Sequence, residues 1–181
     1  MKRFFLLCTL LTLLGSSAVW SQSEEAQVAS IRKIYNRVQQ EIASMQPGNP
    51  NNPYYVVEVT ENALHSSYPA VGNYLGTTRF YYTYKGGEEP QLAMVVISKE
   101  VAAAKIYQEC LFQAGQCIFF YCHDSYETPT DKRLYMTPTG KTVRYVEGNS
   151  KPYPGAETSE SIMREWANDY LTTFKYIMGW Y

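Results

Sequence analysis

Seventeen tyrosines, four cysteines and two histidines carry most of the chemistry open to this 181-residue chain. His65 lies beside Ser66 in Asn62-Ala63-Leu64-His65-Ser66-Ser67-Tyr68-Pro69-Ala70-Val71-Gly72-Asn73-Tyr74-Leu75-Gly76, a long connection between strand-like stretches. Such loops often hold functional groups. A serine nucleophile and its histidine base must face each other, which sequence neighbours seldom do, and the chain has no G-x-S-x-G elbow. The plainer reading is an ordinary exposed loop, and the sharper one is a loop in which His65, Tyr68 and Tyr74 contact a ligand. His123-Asp124 would be part of a hydrolase triad only with a nucleophile nearby. Cys122 adjoins them but would point to the other side of a strand. Residues 123–132, with Tyr126, Pro129 and Asp131, read more simply as a hairpin connection.

Cys110, Cys117 and Cys122 show no C-x-x-C spacing, and neither histidine falls in a ligand pattern with them. No zinc site is expected, and the thiols read as small buried hydrophobes. Glu58, Glu61, Glu88 and Glu89 are the candidate carboxylates. A glycosidase needs two such groups about 5–9 Å apart across a cleft. Nothing in the spacing selects a pair, so solvated charge is the default. No catalytic residue, metal or cofactor is expected. Twelve tyrosines fall between Tyr54 and Tyr145. Tyrosine suits a pleated surface and can stack on rings or sugars. Tyr81 and Tyr121 would be the platform of such a face.

These residues need elements to hold them. Lys2-Arg3, an apolar run at 4–14 and the small residues Gly15-Ser16-Ser17-Ala18-Val19-Trp20-Ser21 read as a secretory signal. Cleavage fits after Ala18 or after Ser21, the second being favoured. That divides the chain into a signal at 1–21 and a single domain at 22–181. The expected location is exported, periplasmic or secreted. Cys8 sits inside the apolar run rather than after it, so no lipid anchor is expected. No later stretch reaches the roughly 18–20 apolar residues of a transmembrane segment. Losing Lys2 and Arg3 leaves 14 basic against 17 acidic residues, moving the charge from -1 to -3. No basic stripe supports nucleic acid as a partner.

A helix is expected over 24–45, where Val28, Ile31, Tyr35, Val38, Ile42 and Met45 recur at spacings of three and four. Ser21 and Glu24 could form its capping box, provided cleavage leaves Ser21 in place. A second helix is expected over 159–178, capped by Thr158 or Ser159 and stopped by Gly179. Strands are expected at 54–61, 77–85 and 92–98, with a turn at 86–90. Residues 99–105 read as a short helical turn or bulge. Segments 110–121 and 135–146 align without gaps as two hairpins with three-residue loops ending in Gly115 and Gly140. That register sets Cys110 opposite Ile118 and Leu111 opposite Cys117. It places Cys110, Tyr135, Ile118, Val143, Phe120 and Tyr145 on the core face and forbids a disulfide within the first hairpin.

With Pro69-x-x-Gly72 leading into Arg79-Phe80-Tyr81-Tyr82, two glycine-centred aromatic hairpins and a final amphipathic helix, the chain resembles small exported bacterial proteins of uncharacterised function. The resemblance implies a sheet-and-helix domain and transfers no activity. The expected fold is α+β: an antiparallel β-meander of about six or seven strands with N- and C-terminal amphipathic helices packed on the sheet. The expected function is a non-enzymatic binding or interaction module for a protein, glycan or small apolar ligand, through a tyrosine-rich sheet face or loop. A small hydrolase using His65 or His123, or an apolar-ligand carrier, is the alternative.

Overall fold

The structure, a computed structural model, describes residues 23–69, 72–84, 87, 89–125, 130–148 and 156–179. The expected signal with its cleavage points, Tyr126 and part of the turn at 86–90 lie outside the described residues.

Helix α1 spans Glu24–Ala43. Ser23, not Ser21, caps it by accepting a hydrogen bond from the Ala26 N–H at 3.3 Å. Glu24 therefore falls in the first turn with Glu25, where the positive end of the helix dipole favours both. The three-four spacing buries Val28, Ile31 and Val38. Seven strands follow: β1 (Tyr55–Glu61), β2 (Tyr74–Thr83), β3 (Gln91–Val101), β4 (Ala104–Gln113), β5 (Gln116–Asp124), β6 (Thr130–Met136) and β7 (Thr142–Glu147). Each pairs antiparallel with its sequence neighbour, giving one seven-stranded meander. Helix α2 spans Ala156–Ile177. It starts upstream of the expected caps, so Thr158 and Ser159 lie inside it. Gly179, at φ 72°, follows its end.

The segment 99–105 is a tight hairpin instead of a helical turn. β3 runs to Val101, β4 begins at Ala104, and Ala102 turns the chain at φ 55°. Cross-strand pairing of Glu100 with Lys105 overrides the helix propensity of the alanines. The connection after β5 is also shorter than expected, because His123 and Asp124 are still in the strand and Thr130 opens the next.

The hairpin registers differ from expectation for a physical reason. Ala114 and Gly115 both take positive φ, 50° and 75°, so the first loop has two residues rather than three. A bulge then places Leu111 opposite Phe119 and Cys110 opposite Phe120, with Ile118 as the extra residue. The second hairpin keeps the three-residue loop, with Thr137 N–H bonded to Lys141 O at 2.8 Å and Gly140 at φ 81°. Val143 is its extra residue, and Ala93 is the extra residue of β3 against β2. The proposed core face is corrected accordingly. Cys110, Phe120 and Tyr145 share one buried cluster, whereas Ile118, Tyr135 and Val143 belong to the other.

The two clusters divide the alternating positions of the strands, so they lie on opposite faces of the sheet. One contains Val28, Ile31 and Val38 of α1 with Met94, Leu111, Ile118, Phe119 and Tyr135. The other contains Met163, Ala167 and Phe174 of α2 with Phe80, Val95, Ile97, Phe120 and Leu134. This is why β4 and β5 are apolar on both sides near their turn, at 110–112 and 117–120, unlike an antiparallel sheet with one wet face.

Candidate functional site

The register lines residues of the α1-side face into transverse rows. Tyr81, Met94, Leu111, Phe119, Tyr135 and Arg144 form one row. The next runs Arg79, Val96, Glu109, Tyr121, Arg133. Beyond it come Ser98, Tyr107, His123 and Asp131. The face thus changes from apolar to polar over four residues of strand. At that change a cleft of about 520 Å³ opens, with Arg32 and Tyr35 of α1 on one wall. Tyr107, Glu109, Tyr121, Arg133 and Tyr135 supply most of the rest.

Glu109 is the structural centre of the cleft. It is only 5% exposed, between Val96 and Tyr121 in its row. A buried carboxylate must be hydrogen-bonded to be tolerated. Gln39 Nε2 donates to its Oε1 at 2.9 Å, and the hydroxyls of Tyr35 and Tyr107 donate to its two oxygens. Tyr35 and Gln39, one helical turn apart, therefore tie α1 to β4. Burial, and then the Glu109 bond, push both phenols well above their ordinary pKa. Tyr35 meets Phe119 edge-on with ring centres 5.0 Å apart.

Asp131 forms a second centre. It accepts from Tyr121 Oη at 2.9 Å and from Arg133 Nη2 at 2.7 Å, and lies 2.8 Å from His123 Nδ1. The His123 bond, helped by Tyr121 and Arg133, holds its carboxyl below the usual range. Burial, with the Asp131 bond, raises Tyr121 to about 12. The Arg133 guanidinium sits 5.4 Å from the centre of the Tyr121 ring, and that of Arg32 sits 5.6 Å from the centre of Tyr135. Arg32 also donates its Nε–H to Tyr135 Oη at 3.2 Å.

Of the residues singled out in the sequence, the structure places Tyr121 in this cleft. Tyr81 is half-buried in the neighbouring apolar row. Tyr68 and Tyr74 form a separate pair, ring centres 5.3 Å apart, beside the Glu61–Lys99 ion pair at 3.1 Å. His65 stands exposed at φ 54° in a turn closed by Asn62. The partner of His123 is Asp131 across the ladder, not Asp124 beside it. Sequence reasoning missed Arg32, Tyr35, Tyr107, Glu109 and Arg133. Their signal was polar residues two apart on strands, Tyr107 with Glu109 and Asp131 with Arg133, facing Tyr35 and Gln39 spaced four apart on a helix.

The thiols are arranged differently from the expected register. The bulge at Ile118 turns Cys117 toward the Cys110 cluster, so the two are neighbours instead of facing opposite sides. Burial, then the contact with Cys117, pushes the Cys110 thiol well up. Cys110, Cys117 and Cys122 are all free thiols. Among the described residues, no group of three His, Cys, Asp or Glu is placed to hold a metal, and no helix is long and apolar enough to cross a membrane. Comparison with protein-family models, curated proteins and solved structures finds no match to this chain.

Proposed function

We propose that this protein is an exported, non-enzymatic binding module whose ligand occupies the tyrosine-lined cleft beside α1. In this reading both helices pack on the sheet, one on each face, and the cleft marks where the cover given by α1 ends. The carrying observation is the fixation of Tyr35, Tyr107 and Tyr121 by the carboxylates of Glu109 and Asp131. Aromatic walls locked before binding lose little side-chain entropy when a ligand arrives. The volume suits a small molecule. Arg32, Glu109 and Arg133 in the lining favour a polar ligand over the apolar cargo of a carrier. A thiol hydrolase at His123 is the weaker reading. Cys122 lies in the cluster of the opposite face, and burial raises its pKa, contrary to what a nucleophile requires.

A thermal-shift panel of saccharides and small metabolites on wild-type protein and Tyr121→Ala tests this. A ligand at about 100 times its Kd should raise the wild-type Tm by roughly 5–10 °C. The shift should vanish in Tyr121→Ala. Equal shifts in both proteins would place binding elsewhere and remove the cleft from the account.

A further inference from the structure

We infer that the ligand of the cleft is an acidic saccharide, a sugar ring bearing a carboxylate; this rests on the cleft being the ligand site. Tyr35 and Tyr107 donate their phenol protons to Glu109, and Tyr121 donates its own to Asp131. With those protons committed the three oxygens can only accept, and Tyr35 Oη already takes a 3.2 Å bond from Gln39 Nε2, so Tyr107 and Tyr121 are the acceptors left for a ligand. The ligand that complements these acceptors is rich in O–H donors, and the Tyr35 and Tyr107 rings in the lining suit the C–H faces of a sugar. Glu109 takes three donors and is only 5% exposed, so it fixes the phenols from beneath rather than meeting a ligand.

The charge comes from the two guanidiniums. Each lies over a tyrosine ring, Arg32 over Tyr135 and Arg133 over Tyr121. A planar fork fixed in this way matches a carboxylate with two parallel N–H bonds. Asp131 engages Nη2 of Arg133. Arg32 takes part in no ion pair among the described residues, so its terminal nitrogens are the anion's site. Acceptors for hydroxyls, ring faces for the sugar and a cation for the acid meet in one cleft.

Calorimetric titration with a glucuronate disaccharide, its neutral glucose counterpart and inorganic phosphate tests this. The acidic disaccharide should bind about tenfold or more tighter than the neutral one. That preference should shrink when salt rises from about 0.05 M to about 0.5 M. Arg32→Gln, at an exposed helix position, should remove the preference by weakening the acidic disaccharide about tenfold or more and the neutral one far less. Tyr121→Phe should weaken both sugars by losing an acceptor. Equal binding of the two sugars overturns the acidic-saccharide assignment, as does phosphate binding as tightly as the glucuronate disaccharide. Absence of sugar binding also overturns it; the cleft reading then stands if another ligand shifts the wild-type Tm but not that of Tyr121→Ala. Sugar binding indifferent to Tyr121→Phe overturns the saccharide assignment, and binding indifferent to Tyr121→Ala overturns both.

Discussion

Glu109 shows what one buried carboxylate can organise. Its three hydrogen bonds join α1 to β4 and fix two cleft tyrosines. Glu109→Gln keeps the shape but sets an amide N–H₂ against a donor. We expect a loss of roughly 1–3 kcal/mol, read as a lower urea midpoint at unchanged slope. The phenols give an alkaline signature. Their pKa values are raised in the folded state, so the stability they contribute is complete below about pH 10, the ordinary phenol value. It is lost as pH rises through the folded values, about 12 for Tyr121. Absorbance near 295 nm should therefore show a late group of tyrosines that ionise together with unfolding. Asp131 acts at the other extreme with the opposite sign. Its depressed pKa contributes stability that is complete above about pH 4 and lost as pH falls through the lowered folded value. Asp131→Asn should flatten the acid limb of the stability curve. None of these roles was legible at the level of single residues. An isolated glutamate in a strand reads as solvated charge, and two of its three donors come from a helix some seventy positions away.

Element identity, by contrast, was readable in some detail. The three-four stripe of α1, the seven extended segments and the turn residues between them follow from periodicity and local backbone preference. Register was not, because it depends on bulges and on alanines held where glycine is easier. Ala102 and Ala114 take φ 55° and 50°. Glycine carries no Cβ penalty there, so Ala114→Gly should stabilise by about 1 kcal/mol and raise the Tm by roughly 2–4 °C. A decrease would show that the side chain of Ala114 contributes packing beyond its backbone strain. Gly76 has the reverse relation to its surroundings. A Cβ there would sit 3.0 Å from Glu61 Oε2, the carboxylate that holds Tyr74 and Lys99. Gly76→Ala should loosen that cluster, and proteolysis of the loop after β1 is the sensitive measurement.

At the scale of the whole molecule, composition indicated one α+β unit, and the sheet follows chain order throughout. What composition concealed is that the two faces differ. Opposite α2 the face is mostly apolar, with the buried Gln108 accepting from Tyr170 at 2.6 Å, and the other passes from apolar to polar beside α1. Ser23 begins the first helix downstream of both candidate cleavage points, so the helix cap survives either choice. Intact-mass measurement of the exported product, expected to begin at Gln22, checks the processing we propose. Because β2 to β7 contribute to both clusters, loss of either should melt the other. A single calorimetric transition with matching van't Hoff enthalpy is expected.

The three bulges have a consequence for how this sheet tolerates changes in length. A strand is written in a two-letter frame, inward and outward, and a deletion normally shifts that frame for every later residue. Ala93, Ile118 and Val143 are spare letters in β3, β5 and β7. Removing Ile118 leaves Cys117, Phe119, Phe120 and Tyr121 on the faces they already occupy, whereas removing Phe120 inverts the rest of the strand. A chain lacking Ile118 should still fold, at the cost of one buried side chain, and a chain lacking Phe120 should not. Single-residue deletions scanned across β5 should thus locate the bulge as a narrow gap in an otherwise intolerant strand.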